Sequence, residues 1–251
     1  MTEVIILGTA NAVSDEKHEN THFAISSEKR FLMVDCVGNP LVRLKQAGLD
    51  YRNLTDLFLT HFHPDHVSAV PLLLMNLWLM GHSRLINIYG LHPTLDKMET
   101  LMDAFGWQNW PNFFPVAFHR LPSEKMTLAL EDSEFRIYTS PVKHLIPAIG
   151  LRVEVLNSGK ILAYSCDTAP CKEVEELAAG ADVLIHEATG DSPGHSPAIK
   201  AGEVAQKAGA KNLYLIHYDT RNGDPRNLVD EARKSFPGEI TLAEDFMKIQ
   251  L

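Results

Sequence analysis

Four side chains that can bind metals, packed into six consecutive positions, constrain the fold of this sequence more than any other feature. They are His61, His63, Asp65 and His66. An apolar run over 56–60, typical of a buried strand, comes directly before them, and a long apolar run comes directly after. His61 and His63 can point to one side of an extended loop, whereas Asp65 and His66 begin a helix and project elsewhere. The spacing therefore favours two neighbouring metal ions over one, an arrangement that suits hydrolytic displacement.

Three more candidate ligands occupy equivalent places farther along the chain. His144, Asp167 and His217 each lie just past the carboxyl end of a predicted apolar strand. Loops that carry functional groups gather at such strand ends, on a rigid sheet. A histidine-rich surface loop that arose by chance would not be accompanied by these three partners.

The histidine content agrees with a metal site. The chain has 12 histidines against 3 cysteines and 3 tryptophans, and imidazole is the commonest metal ligand among side chains. At 251 residues, the chain can bury roughly 70–75% of the surface of its unfolded form, so it needs no metal in order to fold. We expect one domain over 1–251, with metal ions that serve function.

Other features exclude whole classes of protein. The net charge of −9 is the wrong sign for a protein that holds nucleic acid by its overall field. Cys36, Cys166 and Cys171 are odd in number and form no C-x-x-C pair, which argues against a secreted disulfide framework. The first residues have no basic segment before their apolar run, and they predict a strand instead of a signal peptide. The apolar stretch over 67–80 is shorter than a membrane span. We therefore expect a cytoplasmic protein without a membrane partner.

Short β-branched and aromatic runs alternate with helical periodicity along the chain, and no linker divides it. The predicted strands are 4–7, 22–26, 31–35, 56–60, 85–89, 116–121, 126–130, 135–139, 149–155, 161–165, 183–186, 213–216, 241–242 and 246–250. The predicted helices are 40–47, 66–80, 93–105, 172–179, 197–208 and 225–235. Pro197 and Pro225 suit a first helical turn, with Ser196 and Asp224 as caps. Many strands in hairpins with helices between them predict two packed sheets with helices outside.

The motif H-x-H-x-D-H, followed in order by His144, Asp167 and His217, resembles the metallo-β-lactamase superfamily. That resemblance implies an α+β four-layer αββα sandwich with a dinuclear site, usually zinc, between its sheets. Within the superfamily the sequence is similar to the ribonuclease Z branch. The stretch His186–Thr189 resembles its HEAT motif, His195-Ser196 resembles its H-S-T motif, and 144–150 resembles the segment after its third motif.

The resemblance also implies roles for individual residues. One metal ion would be held by His61, His63 and His144, and the other by Asp65, His66 and His217. Asp167 would bridge the two ions. Nitrogen and oxygen ligands fit zinc and equally manganese or iron. Water activated by the ions would attack phosphorus, with Asp65 orienting it or accepting its proton, and His195, positioned by Glu187, would protonate the leaving alkoxide.

Two departures from the ribonuclease Z pattern change the expected substrate. That family inserts a basic, glycine-rich arm that clamps transfer RNA, whereas here Leu151 to Cys166 leaves room only for a hairpin turning at 157–159. The first loop, over 14–20, is acidic where the family is basic. Its charge would repel phosphate backbones. We expect a small phosphodiester or short nucleotide substrate rather than a long nucleic acid.

An aromatic segment over Trp107–Phe114 allows two interpretations. It could form a hydrophobic lid or a dimer face beside the metals, because aromatic residues are enriched at pockets and interfaces. For Trp78, which lies in the preceding apolar helix, ordinary core is at least as good an interpretation. Cys166 adjoins Asp167, but we interpret it as a small buried hydrophobic residue instead of a ligand.

Two other functions remain open from the sequence. The same scaffold could hydrolyse a lactone or carboxylic ester, with the aromatic segment holding an acyl chain. It could also serve as a non-catalytic metal-binding or RNA-associated module, although such a module would not need Asp65 together with Glu187 and His195. Likeness to the family makes a homodimer an expectation as well.

Overall fold

Two seven-stranded mixed sheets form the centre of residues 2–251, the part of the chain described by this computed structural model. The strands of the first sheet are β1 (Glu3–Gly8), β2 (His22–Ser26), β3 (Phe31–Val34), β4 (Asp56–Phe58), β5 (Ile86–Leu91), β6 (Val116–Leu121) and β14 (Lys248–Gln250). Their order across the sheet is β14-β1-β2-β3-β4-β5-β6. The pairs from β14 to β3 are antiparallel, and those from β3 to β6 are parallel.

The second sheet repeats this plan. Its strands are β7 (Thr127–Glu131), β8 (Phe135–Val142), β9 (Ala148–Val155), β10 (Lys160–Tyr164), β11 (Val183–Glu187), β12 (Asn212–Ile216) and β13 (Glu239–Leu242). Their order is β13-β12-β11-β10-β9-β8-β7, with parallel pairs from β13 to β10 and antiparallel pairs from β10 to β7. Each predicted strand corresponds to one of these elements.

Helices cover the outer face of each sheet. Within residues 2–251 they are α1 (Pro40–Gln46), α2 (Pro64–Val67), α3 (Val70–Leu79), α4 (His92–Ala104), α5 (Lys172–Leu177), α6 (Ala198–Ala208) and α7 (Asn227–Arg233), with 3₁₀ turns at Tyr51–Asn53 and Trp107–Asn109. One apolar cluster fills the space between the sheets. Within it the rings of Phe23 and Tyr164 pack edge to face, with their centroids 5.0 Å apart. Two further clusters join each sheet to its helices. The predicted four-layer αββα sandwich is confirmed.

The predicted single helix over 66–80 is wrong, because the chain forms α2 and α3 with a break between them. Pro71 has no N–H to donate to the carbonyl of Val67, and its ring would clash with that carbonyl in a continuous helix. The N–H of Ala69 instead donates to the carbonyl of Cys36 at 3.1 Å. The break makes α2 a separate short turn that carries Asp65 and His66.

The predicted caps also differ from the observed helix starts. Pro197 precedes α6 in extended conformation, and Ser196 makes no capping bond. The Ser196 hydroxyl instead donates to the carbonyl of Thr168 at 2.7 Å. The helix α7 begins two residues after Pro225. Ser196 therefore fastens two loops together instead of capping a helix.

The hairpin between β9 and β10 turns where the sequence predicts it. Val155 pairs with Lys160, and Gly159, at φ +69°, donates its N–H to the carbonyl of Val155 at 2.8 Å. The four residues of this turn leave no place for an arm. Among the described residues, no helix combines the length and apolar character needed to span a membrane.

Candidate metal centre

The predicted ligands meet at one edge of the sandwich. His61 and His63 follow β4, His144 follows β8, and His217 follows β12. Asp167 comes three residues after β10. Since these strands end at the same edge, residues far apart in sequence come together there.

Three imidazoles form the first cluster of donor atoms. Nε2 of His61 lies 3.0 Å from Nδ1 of His63, which lies 3.2 Å from Nε2 of His144. All three atoms fall within 4.8 Å of one another. Neutral imidazole nitrogens at this spacing repel through their lone pairs, and a shared proton relieves only one pair at a time. A cation bound to all three would relieve every pair.

A second cluster adjoins the first and consists of Asp65, His66, Asp167 and His217. Oδ2 of Asp167 lies 3.3 Å from Nε2 of His217, 3.5 Å from Nε2 of His66 and 4.0 Å from Nε2 of His61. Asp65 lies 3.6 Å from both His66 and His217. The Asp167 carboxylate therefore faces both clusters, as a bridging ligand would.

Orphaned atoms test whether divalent ions fit these clusters. In the described part of the chain, His66 Nε2, His217 Nε2 and Asp167 Oδ1 are buried without a hydrogen-bond partner. A buried polar atom without a partner costs roughly 1–3 kcal/mol, so three in one place call for a ligand. Imidazole nitrogens and carboxylate oxygens are suitable donors for zinc and related divalent ions. The residues present fit two such ions.

Asp35, which the sequence analysis missed, supports the second cluster from behind. Its buried carboxylate accepts the N–H of Thr60 at 2.8 Å, the Thr60 hydroxyl at 2.8 Å and Nδ1 of His66 at 2.7 Å. Burial alone would lower the pKa of His66, but Asp167 and Asp35 raise it well above its usual value. Burial alone would raise the pKa of Asp167, but His217 and His66 hold it well below its usual value. Asp35 thus turns Nε2 of His66 towards the cluster.

His144 and His217 are oriented in the same way. Nδ1 of His144 donates to the carbonyl of Gly194 at 2.9 Å. Gly194 has φ +79° and lies so close to His144 that a Cβ there would be 3.0 Å from Nδ1. The Thr189 hydroxyl lies 2.8 Å from Nδ1 of His217 and donates to the His217 carbonyl at 2.8 Å. In each case one ring nitrogen is held by the protein and the other faces the cluster.

Cys166 contacts the site only from the rear. Its buried thiol lies 3.6 Å from Nδ1 of His61, on the side of that ring away from His63. Burial raises the pKa of this thiol well above its usual value. These contacts agree with our interpretation of Cys166 as a small buried residue.

Glu187 and His195 form a pair beside the clusters. The buried Glu187 carboxylate accepts the N–H groups of Thr168 at 3.0 Å, Ser196 at 3.0 Å and Thr189 at 2.8 Å. It also accepts a hydrogen bond from Nδ1–H of His195 at 3.1 Å. Burial alone would lower the pKa of His195, but this bond and the charge of Glu187 raise it. The His195 ring thus keeps Nε2 free.

A cavity of about 300 Å³ opens over the clusters. Its walls are Asn11, Ala12, His63, Pro64, Asp65, Asp167, Thr189, His195 and His217. Asn11 is fixed by its N–H, which donates to the carbonyl of Tyr218 at 3.0 Å. This bond attaches the first loop to the residue after His217.

The aromatic segment Trp107–Phe114 lies elsewhere. It packs with α3 and α4 on the outer face of the first sheet, where Trp110 stacks on Trp78 at 5.2 Å. Within the described part of the chain, none of its residues lines the cavity. The prediction of a hydrophobic lid beside the metals is therefore wrong, whereas the dimer face stays a prediction.

Several residues of the site were not predicted from the sequence, among them Asp35, Thr189 and Asn11. Asp35 had a usable signal, because an aspartate at the end of an apolar strand is the pattern that identified Asp167. Thr189 belongs to the quoted HEAT stretch but was given no role. Asn11 carries no signal, since its place at the cavity depends on a contact with Tyr218, far along the chain.

Two facing sheets, outer helices and adjoining histidine and aspartate clusters define the class of metallohydrolase sandwiches. The chain belongs to the beta-lactamase superfamily, whose domain profile matches residues 30–218. It is 27% identical to ribonuclease Z of Methanothermobacter thermautotrophicus, over 100% of this chain and 97% of that protein. The alignment spans 305 positions, which exceeds the length of this chain, so the relative carries insertions.

Solved structures give the same result for the fold. The metallo-beta-lactamase fold protein YhfI from Bacillus subtilis superposes with a TM-score of 0.84 at 22% identity, over 99% of this chain and 98% of that one. Human tRNase Z, short form, superposes with a TM-score of 0.81 at 25% identity, with the same coverage of both chains.

Proposed function

We propose that the protein is a metal-dependent phosphodiesterase of the ribonuclease Z-like branch, with one domain over 1–251. The observation that carries this proposal is that the Asp167 carboxylate faces both donor clusters, with the Glu187–His195 pair beside them. Relatives named ribonuclease Z over nearly their full length support the assignment to this branch.

In this proposal His61, His63 and His144 hold one ion, Asp65, His66 and His217 hold the other, and Asp167 contacts both. Zinc is our first choice, with manganese or iron as alternatives. Such ions, when bound, supply positive charge for the attacking and leaving oxygens and lower the pKa of water. The short distances between donor atoms within and between the two clusters support this assignment.

The chain's own residues would handle the protons. Asp65 lines the cavity and is 14% exposed, so it can orient the attacking water or accept its proton. As the new bond to phosphorus forms, the bond from phosphorus to the leaving oxygen breaks. His195, whose Nδ1 is held by Glu187, would give the proton on Nε2 to that leaving oxygen.

A small substrate suits the surroundings of the cavity. The cavity volume of about 300 Å³ accommodates a phosphate and part of one attached group. The β9–β10 hairpin has only four turn residues, and the loop beside Asn11 carries Asp15, Glu16 and Glu19. We therefore propose a small phosphodiester or short nucleotide as substrate, with long nucleic acid disfavoured.

The test is a substrate panel with metal-free enzyme reloaded with zinc or manganese. We expect hydrolysis of bis(p-nitrophenyl) phosphate and short dinucleotides, less activity on precursor transfer RNA, and loss of activity with a chelator. A metal-replete preparation that cleaves lactones and no phosphodiester would replace this proposal with an ester hydrolase. Two equivalents of metal without any turnover would favour a binding module.

Replacing Asp65 tests its role directly. Asp65→Ala should lower kcat by at least about 100-fold, since positioned acid–base groups contribute about that much. Asp65→Asn keeps the shape of the side chain and serves as the matched variant. Near-normal activity in both variants, with two ions bound, would remove Asp65 from the mechanism.

We also propose a homodimer in the cytoplasm. Leu79, Met80 and Phe105 are exposed by 65%, 57% and 59% at the carboxyl ends of α3 and α4, and exposed apolar side chains of this size favour an interface. The three cysteines are free thiols, as in most proteins of reducing compartments. Light scattering on the wild type and on Phe105→Glu tests the dimer, because the variant should shift towards monomer.

A further inference from the structure

We infer that an open groove beyond His195 is a subsite for a phosphate group carried by the leaving half of the substrate. The groove has a volume of about 660 Å³, and its walls include Lys143, Pro170, Asp191, Pro193, His195 and Lys200. This inference rests on the proposed phosphodiesterase function and adds a preference for a particular class of diester.

The groove adjoins the catalytic cavity at a single side chain. His195 lines both spaces, and its ring lies 5.1 Å from that of His144 and 5.8 Å from that of His217. If His195 protonates the leaving oxygen, the rest of the leaving group must extend past this ring. The groove is the space into which it would extend.

Lys143 is held where it can meet that group. It directly precedes His144, its N–H donates to the Thr168 hydroxyl at 3.1 Å, and its carbonyl accepts the N–H of Ala169 at 2.8 Å. The lysine is thus fastened between the loops that carry His144 and Asp167. Within residues 2–251 no carboxylate forms an ion pair with its side chain, whereas Lys200 is paired with Glu203 at 2.8 Å.

The charges around the site favour a phosphate group in this groove over the two other spaces beside the cavity. On the side of Asn11 the first loop carries Asp15, Glu16 and Glu19, with Lys17 as its one lysine. A neighbouring pocket behind Thr189 is lined by five residues that carry a carboxylate or an amide and by no lysine or arginine, and its acids are Asp219, Asp224 and Glu231. The groove contains Lys143, which has no ion-pair partner within residues 2–251, and Lys200, which is paired with Glu203, against Asp191. A phosphate group is therefore favoured in the groove and disfavoured on either other side.

The expected ligand follows from these charges. It is a phosphodiester whose leaving nucleoside bears a further terminal phosphate, as in a short oligonucleotide with a phosphorylated end. Lys143 binds this phosphate as a flexible point charge. A neutral leaving group gains nothing from the groove.

Three dinucleotides test the subsite: one without a terminal phosphate, one with a 5′-terminal phosphate and one with a 3′-terminal phosphate. The products identify which nucleoside leaves. At low salt the wild-type enzyme should show kcat/KM about fivefold higher when the leaving nucleoside carries the extra phosphate, which is the upper size of an exposed ion pair. The same phosphate on the other nucleoside should bring no gain. High salt should remove the preference.

Variants assign the effect to the groove. Lys143→Ala should bring the ratio of kcat/KM values close to one, whereas Lys143→Arg should keep most of it. Lys45→Ala, at an exposed lysine of α1, is the matched control and should keep the ratio unchanged. Equal kcat/KM values in the wild type, or a preference that survives Lys143→Ala, would overturn the subsite while diester hydrolysis still supports the proposed function. Absence of hydrolysis of all diesters, including bis(p-nitrophenyl) phosphate, would overturn both.

Discussion

At the scale of single residues, Glu187 and His195 divide their work between structure and chemistry. The Glu187 carboxylate accepts three backbone N–H groups from loops on both sides of the site, and it is fully buried. His195 uses one nitrogen for this carboxylate and faces the cavity with the rest of its ring. Glu187 is therefore a positioning residue, and His195 is the candidate for proton donation.

Replacing His195 should affect substrates according to their need for a proton. We expect His195→Ala to lower kcat about 100-fold on a dinucleotide, whose leaving alkoxide must be protonated. The loss should be much smaller on bis(p-nitrophenyl) phosphate, because p-nitrophenolate leaves readily without a proton. Steady-state rates on both substrates, with metal content measured in parallel, check this. Equal losses on the two substrates would argue against proton donation, and loss of metal would make His195 a ligand.

His22 is a buried histidine that the site does not use. It begins β2, is 1% exposed, and donates Nδ1–H to the carbonyl of Asn20 at 2.8 Å. Its Nε2 has no partner among the described residues. Burial, and to a smaller extent the nearby cations Arg43 and His66, lowers its pKa to about 4 from 6.5, against the opposing hydrogen bond to Asn20.

The lowered pKa of His22 predicts acid sensitivity. Since the unfolded chain takes up this proton more readily, the stabilisation is complete above about pH 6.5 and is lost as the pH falls towards 4. Over that window the free energy of unfolding should decrease by about 3 kcal/mol through this group. Urea unfolding of metal-stripped protein at about pH 7.5 and pH 4 should show that loss in the wild type and not in His22→Asn. His92→Asn, at an exposed histidine, should behave like the wild type, and an unchanged pH dependence in His22→Asn would contradict the assignment.

At the scale of elements, strands were easier to predict than helix boundaries. A strand covered on both faces is apolar throughout, as in β1, where five of the six residues are buried, so its sequence identifies it directly. At the break between α2 and α3, the N–H of Ala69 donates to the carbonyl of Cys36, which lies far away in sequence. Pro71 was a local signal for the break. The missing cap at Ser196 had no local signal, because its hydroxyl bonds Thr168 on another loop.

Gly202 illustrates a contact between elements that opposes local preference. It lies within α6, where alanine is favoured over glycine by about 1 kcal/mol. A Cβ at this position would lie 2.5 Å from the carbonyl oxygen of Ala232 in α7 and would also meet the Ser235 hydroxyl. The close approach of α6 to α7 therefore requires glycine here.

Gly202→Ala should destabilise the protein by up to about 2 kcal/mol net, because overpacking costs up to about 3 kcal/mol and the gain in helix propensity offsets about 1 kcal/mol of it. Gln206 provides the control, as it is exposed on the same helix. There the alanine variant should be more stable than the glycine variant by about 1 kcal/mol. Thermal and urea unfolding of the four proteins measure both effects. A stabilised Gly202→Ala protein would mean that α7 moves away freely.

At the scale of the whole molecule, the predicted ligands could be found from sequence because each follows a strand of the same sandwich. Strand ends at one edge bring together residues as distant as His61 and His217. Their supports were harder to find, although Asp35 follows β3 in the same way. Asp35 reaches His66 and Gly194 reaches His144 through contacts between loops of one sheet that are distant in sequence. Asn11 reaches Tyr218 through a contact that exists only once both sheets have assembled.

The net charge of −9 acts at this scale as well, and part of it lies beside the site. The first loop contacts the chain after His217 through Asn11 and through His18, whose ring lies 6.1 Å from that of Tyr218. Glu16 is exposed at the tip of this loop and takes part in no ion pair within the described residues. Its charge can therefore be changed without loss of a contact.

Reversing that charge should relax the discrimination against long RNA. We expect Glu16→Lys to raise kcat/KM on precursor transfer RNA several-fold at low salt, because a charge change of two acts on many phosphates at once. The gain should vanish at high salt, where the Debye length falls to about 3 Å, and bis(p-nitrophenyl) phosphate, with its single charge, should respond little. Glu239→Lys makes the same change of charge at the start of β13. There Glu239 pairs with Asn212, which begins β12, whereas His217 follows the other end of that strand. This control variant should bring no gain on precursor transfer RNA. An equal gain in both variants would mean that the overall charge, rather than the acidic loop, disfavours long RNA.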